Sequence, residues 1–212
     1  MGGAQIGRFD APCSKSDAPR LQTLTDHWDE IKTLKAVPTV KVDGTSTTLS
    51  MDERGQVHVY SRNWELDSMS SNMQLAKRFQ LDKMLWPGMA VQFELCGPGI
   101  QSNRLKLPAQ RPFVFAVWKD HHKIDRNQWP TGMPNLAVPE LDENEWALTG
   151  SVDDMIAKVD GLRGNVTKDR LDEGIVWHLH EDQQLSEGLA NELGANRCFK
   201  IINNKYLTKN GL

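Results

Sequence analysis

The chain has 212 residues, of which 39% are hydrophobic and 25% charged, and these values predict one packed core and exclude a disordered chain. A net charge of −3 excludes a uniformly basic surface, so any groove for nucleic acid has to be local. No stretch approaches the roughly 18 apolar residues of a membrane span, and residues 1–10 lack a secretory signal, so we expect a cytoplasmic protein without a membrane partner.

The first 36 residues mix Gly, Pro, Ser and charged side chains. We expect a lead-in that packs on the core and contains one short helix near residues 24–34, opened by Thr25 or Asp26. The remaining residues, 37–212, are expected to form the main domain.

Runs of β-branched and aromatic residues predict the strands of that domain. They cover residues 39–42, 45–51, 57–60, 89–95, 113–118, 174–179 and 198–202. Apolar stripes and capping residues predict helices within 71–85, 151–162 and 182–193. Three prolines within 128–145 favour a surface excursion. Because strands dominate and helices are scattered between them, the predicted class is α+β with mainly antiparallel sheets.

The sharpest local pattern is Lys41-Val42-Asp43-Gly44-Thr45, at the end of the first strand of the main domain. Strand alternation places Lys41 and Asp43 on one face, and Gly44 allows a tight turn beside a ligand. A lysine and a carboxylate then share one wall of a pocket. Alone, the pattern favours a plain strand end before an Asp-Gly turn, because so short a motif occurs by chance in roughly one in twenty chains of this length.

The order of the later segments changes this interpretation. They are Phe93 to Gln101 around Glu94, Phe113 to Trp118, Asp172 to Val176 around Glu173, and Phe199 to Ile202 around Lys200. From Lys41 to about Tyr206, the series resembles the covalent nucleotidyltransferases, the superfamily of DNA ligases, RNA ligases and mRNA capping enzymes. The resemblance implies an α+β adenylyltransferase (nucleotidyltransferase) domain over 37–212, with antiparallel sheets flanking an ATP cleft and Lys41 on its floor.

Three segments look like ATP-dependent RNA ligases in particular. They are Lys41 to Ser46, Tyr60-Ser61-Arg62-Asn63, and Glu94 to Gln101. DNA ligases and capping enzymes usually place an arginine two residues after the motif glycine, where this chain has Ser46. The lead-in from Ser14 to Gln22 also looks like the segment before the nucleophile in one branch of RNA ligases.

The resemblance implies a reaction in three steps. Lys41 takes AMP from ATP as lysyl-AMP, a 5′-phosphate RNA end receives the AMP, and a 3′-hydroxyl displaces it. A lysine with an ordinary pKa near 10.4 is neutral in only about one molecule in 2,500 at pH 7, so its site has to favour the free amine. The implied cofactors are ATP and Mg²⁺ or Mn²⁺, and the implied partners are RNA ends, including those of a nicked duplex. A monomer is expected.

The resemblance also assigns roles to acidic and basic residues. Glu94 and Glu173 would hold ribose hydroxyls and the water shell of the metal ion, and Asp43 would share in either task. Lys200 would contact the α-phosphate, because charge develops on the phosphate oxygens in such reactions.

Two further residues complete the implied site. Phe113 aligns with the aromatic residue that stacks on adenine, although Phe115 lies on the same predicted strand face. Arg62 would bind a phosphate or the RNA terminus, since its planar guanidinium suits oxyanions. The alternative for Arg62 is a surface charge at a hairpin end.

One position departs from the family pattern. Many relatives carry Lys-x-Lys in the last motif, whereas the residue two after Lys200 is Ile202. Lys205 would lie on the opposite face of a regular strand, but a turn at Asn203-Asn204 would redirect it towards ATP.

Two other functions stay open at this point. The chain could be a DNA ligase or a capping-type guanylyltransferase, against which Ser46 argues. It could also be a non-catalytic module that binds nucleic-acid ends, which fits the missing second lysine and the acidic net charge.

Overall fold

The computed structural model describes residues 3–212, and the first two residues of the predicted lead-in lie outside them. The strands are β1 (Gln5–Arg8), β2 (Ala36–Lys41), β3 (Thr45–Met51), β4 (Val57–Tyr60), β5 (Trp64–Leu66), β6 (Met89–Cys96), β7 (Arg111–Lys119), β8 (His122–Ile124), β9 (Gly174–Leu179) and β10 (Cys198–Ile202). The α-helices are α1 (Trp28–Ile31), α2 (Ser71–Arg78), α3 (Val152–Val159), α4 (Glu187–Leu193) and α5 (Asn204–Asn210). Short 3-10 helices cover Leu21–His27, Leu81–Met84, Arg126–Gln128, Met133–Leu136 and Gly194–Asn196.

The chain forms two compact units. The first comprises residues 3–16 and Asp43–Ala137, and the second comprises Asp17–Val42 and Val138–Leu212. The predicted boundary between a lead-in of residues 1–36 and a domain of residues 37–212 stays a prediction. Along residues 3–212, no helix has both the length and the apolar character to span a membrane.

The first unit is built on a seven-stranded sheet with the strand order β1-β5-β4-β3-β6-β7-β8. All neighbouring strands are antiparallel. One face is apolar, and its buried residues include Leu49, Val91 and Phe93, which pack with Met73 and Ala76 of α2. Alternation along the strands therefore places the polar residues of β3 and β6 on the opposite face.

Residues 9–16 lie on that opposite face of the same unit. The ring of Phe9 packs on Tyr60 with a centroid distance of 5.2 Å. The Gln92 side chain donates a hydrogen bond to the carbonyl of Ser14 at 2.8 Å. The hydroxyls of Ser16 and Ser46 are 3.1 Å apart. The N-terminal segment thus covers part of the polar face of the sheet.

The second unit is built on a three-stranded antiparallel sheet with the order β10-β9-β2. Ile175, Trp177, Phe199 and Ile201 point to a core that also contains Leu24 and other residues of the short helices. The rings of Trp177 and Phe199 stack with a centroid distance of 5.7 Å. The other face of this sheet carries Lys41 and Lys200, because cross-strand partners share a face and side chains alternate along each strand.

The structure confirms the α+β class, the two antiparallel sheets and every predicted strand, with shifts of a few residues at the ends. The predicted cap of α3 is also confirmed, since the Ser151 hydroxyl accepts a hydrogen bond from the Asp154 N–H at 3.1 Å. The predicted helix within 71–85 is present as α2 and a 3-10 turn, separated by Gln80 in the left-handed region with φ 58°.

Three local predictions were wrong. The helical segment of the lead-in starts at Leu21, and neither Thr25 nor Asp26 caps it. Its buried residues, Leu21, Leu24, Trp28 and Ile31, recur every three or four positions and pack in the core. The last predicted helix begins at Glu187 behind a Ser186 cap instead of near residue 182. The excursion within 128–145 is not wholly on the surface, since Met133 and Val138 are buried.

Candidate active site

The Lys41 side chain lies at the end of β2 and forms an ion pair with the residue before β9. Its Nζ is 2.7 Å from Oε2 of Glu173, and both side chains are largely buried. The register explains the pairing, because Lys41 lies opposite Gly174, the residue that follows Glu173. A Cβ at Gly174 would clash with the carbonyl oxygen of Ile201, so glycine is needed here for β10 to lie against β9.

Lys200 of β10 lies on the same face of the three-stranded sheet as Lys41 of β2. Val176 of β9 faces Lys200 on one side and Thr39 of β2 on the other, and Thr39 precedes Lys41 by two residues. Burial lowers the pKa of Lys200 below its ordinary value, and the positive charge of Lys41 lowers this pKa further. The second unit therefore holds two lysines and one carboxylate in one electrostatically coupled group.

The segment that precedes the lead-in helix adds a third cation to this group. The backbone N–H of Lys200 donates to the carbonyl of Pro19 at 2.9 Å, and Arg20 pairs with Lys200 as a parallel bridge. The charge of Arg20 lowers the pKa of Lys200, whereas Asp17 and Glu173 act in the opposite direction. The positive charge in this group exceeds what Glu173 alone can neutralise.

In the first unit, Asp43 is fixed by the loop that follows β6. An Arg104 guanidinium nitrogen lies 2.7 Å from Asp43 Oδ2, and both side chains are mostly buried. The Gln101 amide donates a hydrogen bond to the Gly44 carbonyl. A Cβ at Gly44 would clash with the Leu95 carbonyl and would lie 2.6 Å from Cys96 Sγ. The close approach of Gly44 to β6 is thus a reason for glycine at this position, in addition to the predicted tight turn.

Glu94 and Phe113 share a face of the same sheet. Glu94 pairs with Ser46 on β3 and with Phe113 on β7. The Arg111 guanidinium lies 4.5 Å from the centroid of the buried Phe113 ring. The sequence left both Phe113 and Phe115 as candidates, and the β6–β7 ladder has a bulge between them. Val114 faces Phe93 and Ala116 faces Gln92, so one additional residue of β7 lies between two consecutive residues of β6. Phe115 falls at this bulge and packs against Ala90, Ala116 and Trp118, and which of the two rings stacks on adenine stays a prediction.

Two other predicted residues lie at turns. Arg62 is exposed in the turn after β4, at the end of the sheet where β3 begins. Lys205 lies in the first turn of α5, exposed, with its ammonium beside Gly161. Asn203 ends β10 and caps α5, so Lys205 does not continue the alternation of the strand.

The metal-ligand prediction concerns Glu173, Glu94 and Asp43. Within residues 3–212, no three His, Cys, Asp or Glu side chains converge into a cluster that could hold a metal by protein groups alone. Mg²⁺ usually keeps several waters and uses one or two carboxylates together with substrate phosphates. Carboxylate oxygens such as those of Glu173 fit that donor set, with waters and phosphates completing it.

Comparison with known proteins assigns the family. A search of curated proteins found no match. The sequence model of RNA ligases matches residues 35–202, which include Lys41, Glu94, Glu173 and Lys200. The chain belongs to the RNA ligase family. The resemblance read from the ordered motifs is therefore confirmed.

Solved structures of an RNA ligase from Naegleria gruberi are similar to this family member. The protein with PPi superposes with a TM-score of 0.79 at 25% identity, covering 99% of this chain and 61% of that chain. A lysine-to-alanine mutant with ATP and Mn gives 0.78 at 26%, covering 99% and 61%. A lysine-to-methionine mutant with AMP and Mn gives 0.77 at 26%, covering 98% and 61%. The chain thus spans only about three fifths of those proteins.

The structure of this family member brings together Lys41, Glu173 and Lys200 in one unit, and Asp43, Glu94 and Phe113 in the other. Three arginines beside these groups were not predicted as site residues, namely Arg20, Arg104 and Arg111. Only Arg20 stood in a segment that the sequence had singled out. Arg104 contacts Asp43 and Arg111 contacts the Phe113 ring because of tertiary folding, which local sequence patterns do not reveal. The functional roles of all these residues stay predictions.

Proposed function

We propose that this chain is the nucleotidyltransferase part of an ATP-dependent RNA ligase, as its family and the ATP and AMP complexes of its Naegleria relative suggest. Lys41 Nζ attacks the α-phosphorus of ATP, forms an N–P bond, and breaks the bond to the bridging oxygen. Pyrophosphate leaves with that electron pair, and the amine loses its protons to solvent. The product is lysyl-AMP.

The later steps regenerate the lysine. An oxygen of an RNA 5′-phosphate attacks the AMP phosphorus, the N–P bond breaks, and Lys41 recovers a proton as a free amine. The RNA 5′ end then carries AMP through a new pyrophosphate linkage. A 3′-hydroxyl oxygen attacks the 5′-phosphorus, loses its proton, and expels AMP as the strands join.

The observation that carries the proposal is the group formed by Lys41, Glu173 and Lys200. A nucleophilic lysine is expected next to other cations and in a largely buried position. Lys41 has both features, because its side chain is largely buried and Lys200 lies on the same sheet face. All three residues lie within the segment that matches the RNA ligase family, residues 35–202.

Lys200 is proposed to contact the α-phosphate, with Arg20 beside it. Cations that are fixed before the reaction stabilise charge on phosphate oxygens without reorganisation. Burial lowers the pKa of Lys200, and the positive charges of Lys41 and Arg20 lower it further, whereas Asp17 and Glu173 raise it. An anion placed there relieves the repulsion among the cations.

The residues of the first unit are proposed to bind nucleotide and RNA. Glu94 and Asp43 bind ribose hydroxyls or metal-bound waters, and Phe113 stacks on adenine. Arg62, exposed in its turn, binds a phosphate or the RNA terminus. Lys205 is proposed to supply part of the charge of the lysine that Ile202 replaces.

When bound, Mg²⁺ or Mn²⁺ supplies charge neutralisation at the phosphates. Glu173 is the main residue proposed to hold it, with Glu94 and Asp43 acting through water. We propose that the Glu173 carboxylate, which pairs with Lys41, serves the nucleophile and the cofactor in turn. The physiological partners proposed are RNA 5′-phosphate and 3′-hydroxyl ends, acted on by a cytoplasmic monomer.

The proposal is tested by incubating the chain with α-labelled ATP and Mg²⁺ or Mn²⁺. We expect label on the protein, loss of the label in Lys41→Ala, and retention in Lys35→Ala, an exposed lysine of the same unit. Replacing ATP with labelled GTP tests the capping alternative, and nicked DNA and RNA duplexes test which nucleic acid receives AMP. Labelling by GTP alone, or labelling that survives Lys41→Ala, contradicts the proposal.

A further inference from the structure

Asn203 is a fully buried polar residue between β10 and α5, and it contacts three separate backbone segments. It follows Lys200 by three residues. Its hydrogen bonds divide into an acceptor set and a donor set. Both sets reach residues 161–162, but only the acceptor set reaches the start of α5 and only the donor set reaches residues 172–173.

The acceptor set is formed by the side-chain oxygen. Oδ1 accepts from the backbone N–H groups of Gly161, Lys205 and Tyr206, at 3.0, 3.1 and 3.3 Å. Two of these donors open α5, so this oxygen acts as an ordinary helix N-cap. A cap alone explains the oxygen of Asn203 but not its nitrogens.

The donor set reaches the segment that carries Glu173. The side-chain amide of Asn203 donates to the carbonyls of Asp172 and Leu162, at 3.0 and 3.1 Å. The backbone N–H of Asn203 donates to the carbonyl of Glu173 at 2.8 Å. One residue therefore binds two consecutive carbonyls, those of Asp172 and Glu173.

The buried Asp172 carboxylate fixes the same segment from its other side. It accepts from the backbone N–H and side-chain amide of Asn165, at 3.1 and 2.9 Å, and from the Val166 N–H at 3.3 Å. The backbone N–H of Asp172 donates to the Leu162 carbonyl at 3.0 Å. Both the backbone N–H and the carbonyl of Asp172 are thus hydrogen-bonded.

We propose that Asn203 is a positioning residue for the nucleophile, acting through Glu173. Its two nitrogens fix the backbone of residues 172–173 to the end of β10, so that the Glu173 carboxylate meets Lys41 Nζ at 2.7 Å. The same residue directly follows β10, the strand that carries Lys200. This inference rests on the proposed function insofar as Lys41 is the nucleophile.

The Asn203→Asp variant separates the two sets of hydrogen bonds. Aspartate keeps an Oδ1 acceptor and remains a good N-cap, but it removes the side-chain donors to Asp172 and Leu162. Asn203→Ser serves as a second variant, because serine also caps helices and adds no charge. The matched control is Ser151→Ala, which removes the cap of α3 in the same unit without touching the segment before Glu173.

Two readouts are compared, each at the same interval below the melting temperature of the variant. The first is single-turnover transfer of label from ATP to Lys41 at saturating ATP. The second is acetylation of Lys41 relative to Lys35, measured by mass spectrometry without ATP. We expect both Asn203 variants to slow label transfer about tenfold or more and to raise Lys41 acetylation, whereas Ser151→Ala changes neither.

The outcomes separate this inference from the proposed function. Wild-type rates and wild-type Lys41 acetylation in a folded Asn203→Asp or Asn203→Ser protein overturn it. Equal effects in Ser151→Ala also overturn it, because they indicate a general loss of stability. If the wild-type chain takes no label from ATP, the proposed function fails, and the acetylation comparison still decides whether Asn203 positions Glu173 against Lys41.

Discussion

The Arg104 guanidinium holds the Asp43 carboxylate at 2.7 Å, although 60 residues lie between them in the sequence. The ion pair links the turn of the lysine motif to the loop after β6. Gln101 reinforces the link through the Gly44 carbonyl. A residue outside every predicted motif thus fixes the orientation of the motif aspartate.

Removing this link should destabilise the protein. We expect Arg104→Ala to lower the free energy of unfolding by about 1–3 kcal/mol, because a mostly buried carboxylate loses a charged hydrogen-bond donor. Urea unfolding measures the change, with Arg54→Ala in an exposed turn as the control. An Arg104→Ala protein as stable as the control would show that the ion pair has no stabilising effect.

Lys200→Met should raise stability and reduce adenylylation. Burial, followed by the charge of Lys41, places the pKa of Lys200 below the value of 10.5 that it has in the unfolded chain. The folded state is therefore destabilised by the protonated amine at neutral pH, and this cost disappears as the pH rises from the folded pKa to 10.5.

Thermal unfolding of Lys200→Met and wild type between pH 7 and pH 10 tests this directly. The variant should be the more stable protein at pH 7, and the difference should shrink with rising pH. Lys35→Met is the control, since its side chain is exposed. A Lys200→Met protein that is less stable at pH 7 would contradict the expected repulsion.

His58 should give the first unit a pH-dependent stability with the opposite sign. Burial alone lowers the pKa of His58, but hydrogen bonds with Glu65 and Asp52 outweigh burial and raise this pKa above 6.5. The stabilisation is complete below the unfolded pKa of 6.5 and is lost as the pH rises through the folded pKa.

Urea unfolding of wild type and His58→Gln at several pH values measures this contribution. Wild type should exceed His58→Gln in stability most clearly below pH 6.5, and the gap should narrow at higher pH. NMR titration of the His58 ring gives the folded pKa independently. A gap that widens with rising pH would reverse the predicted sign.

Gly44→Ala should be poorly tolerated for reasons of packing. The added Cβ meets the Leu95 carbonyl and the Cys96 sulfur, and backbone atoms of a central strand do not move easily. We expect a loss of about 1–3 kcal/mol, as for other overpacked sites. Gly7→Ala is the control, because Gly7 lies on the edge strand β1 and its added Cβ would meet only the flexible Glu65 side chain. Equal stability of the two variants would exclude the clash.

Seven strands were predictable because their signals are local, whereas the short strands β1, β5 and β8 were missed and Lys41 was singled out by the order of the motifs. Runs such as Thr45–Met51 carry their own periodicity, and the ordered motifs singled out Lys41 and Glu173 before their 2.7 Å contact was seen. The helix α5 was missed, since its start depends on the Asn203 cap and its polar sequence has little apolar periodicity.

Arg104, Arg111 and Asn203 were missed for a different reason. Their partners are Asp43, the Phe113 ring and the backbone at residues 172–173, and the contacts arise from tertiary folding. The bulge in the β6–β7 ladder also could not be predicted from alternation, because an additional residue, Phe115, lies between the partners of Gln92 and Phe93. Long-range register thus decided the details that local patterns left open.

Peptide mapping of the protein after reaction with ATP and Mn²⁺ tests the central claim most directly. Tandem mass spectrometry under conditions that preserve the N–P bond should find one AMP group, attached to the Nζ of Lys41. AMP on another lysine, or a protein that stays unmodified although ATP binds to it, would contradict the assignment of Lys41 as the nucleophile.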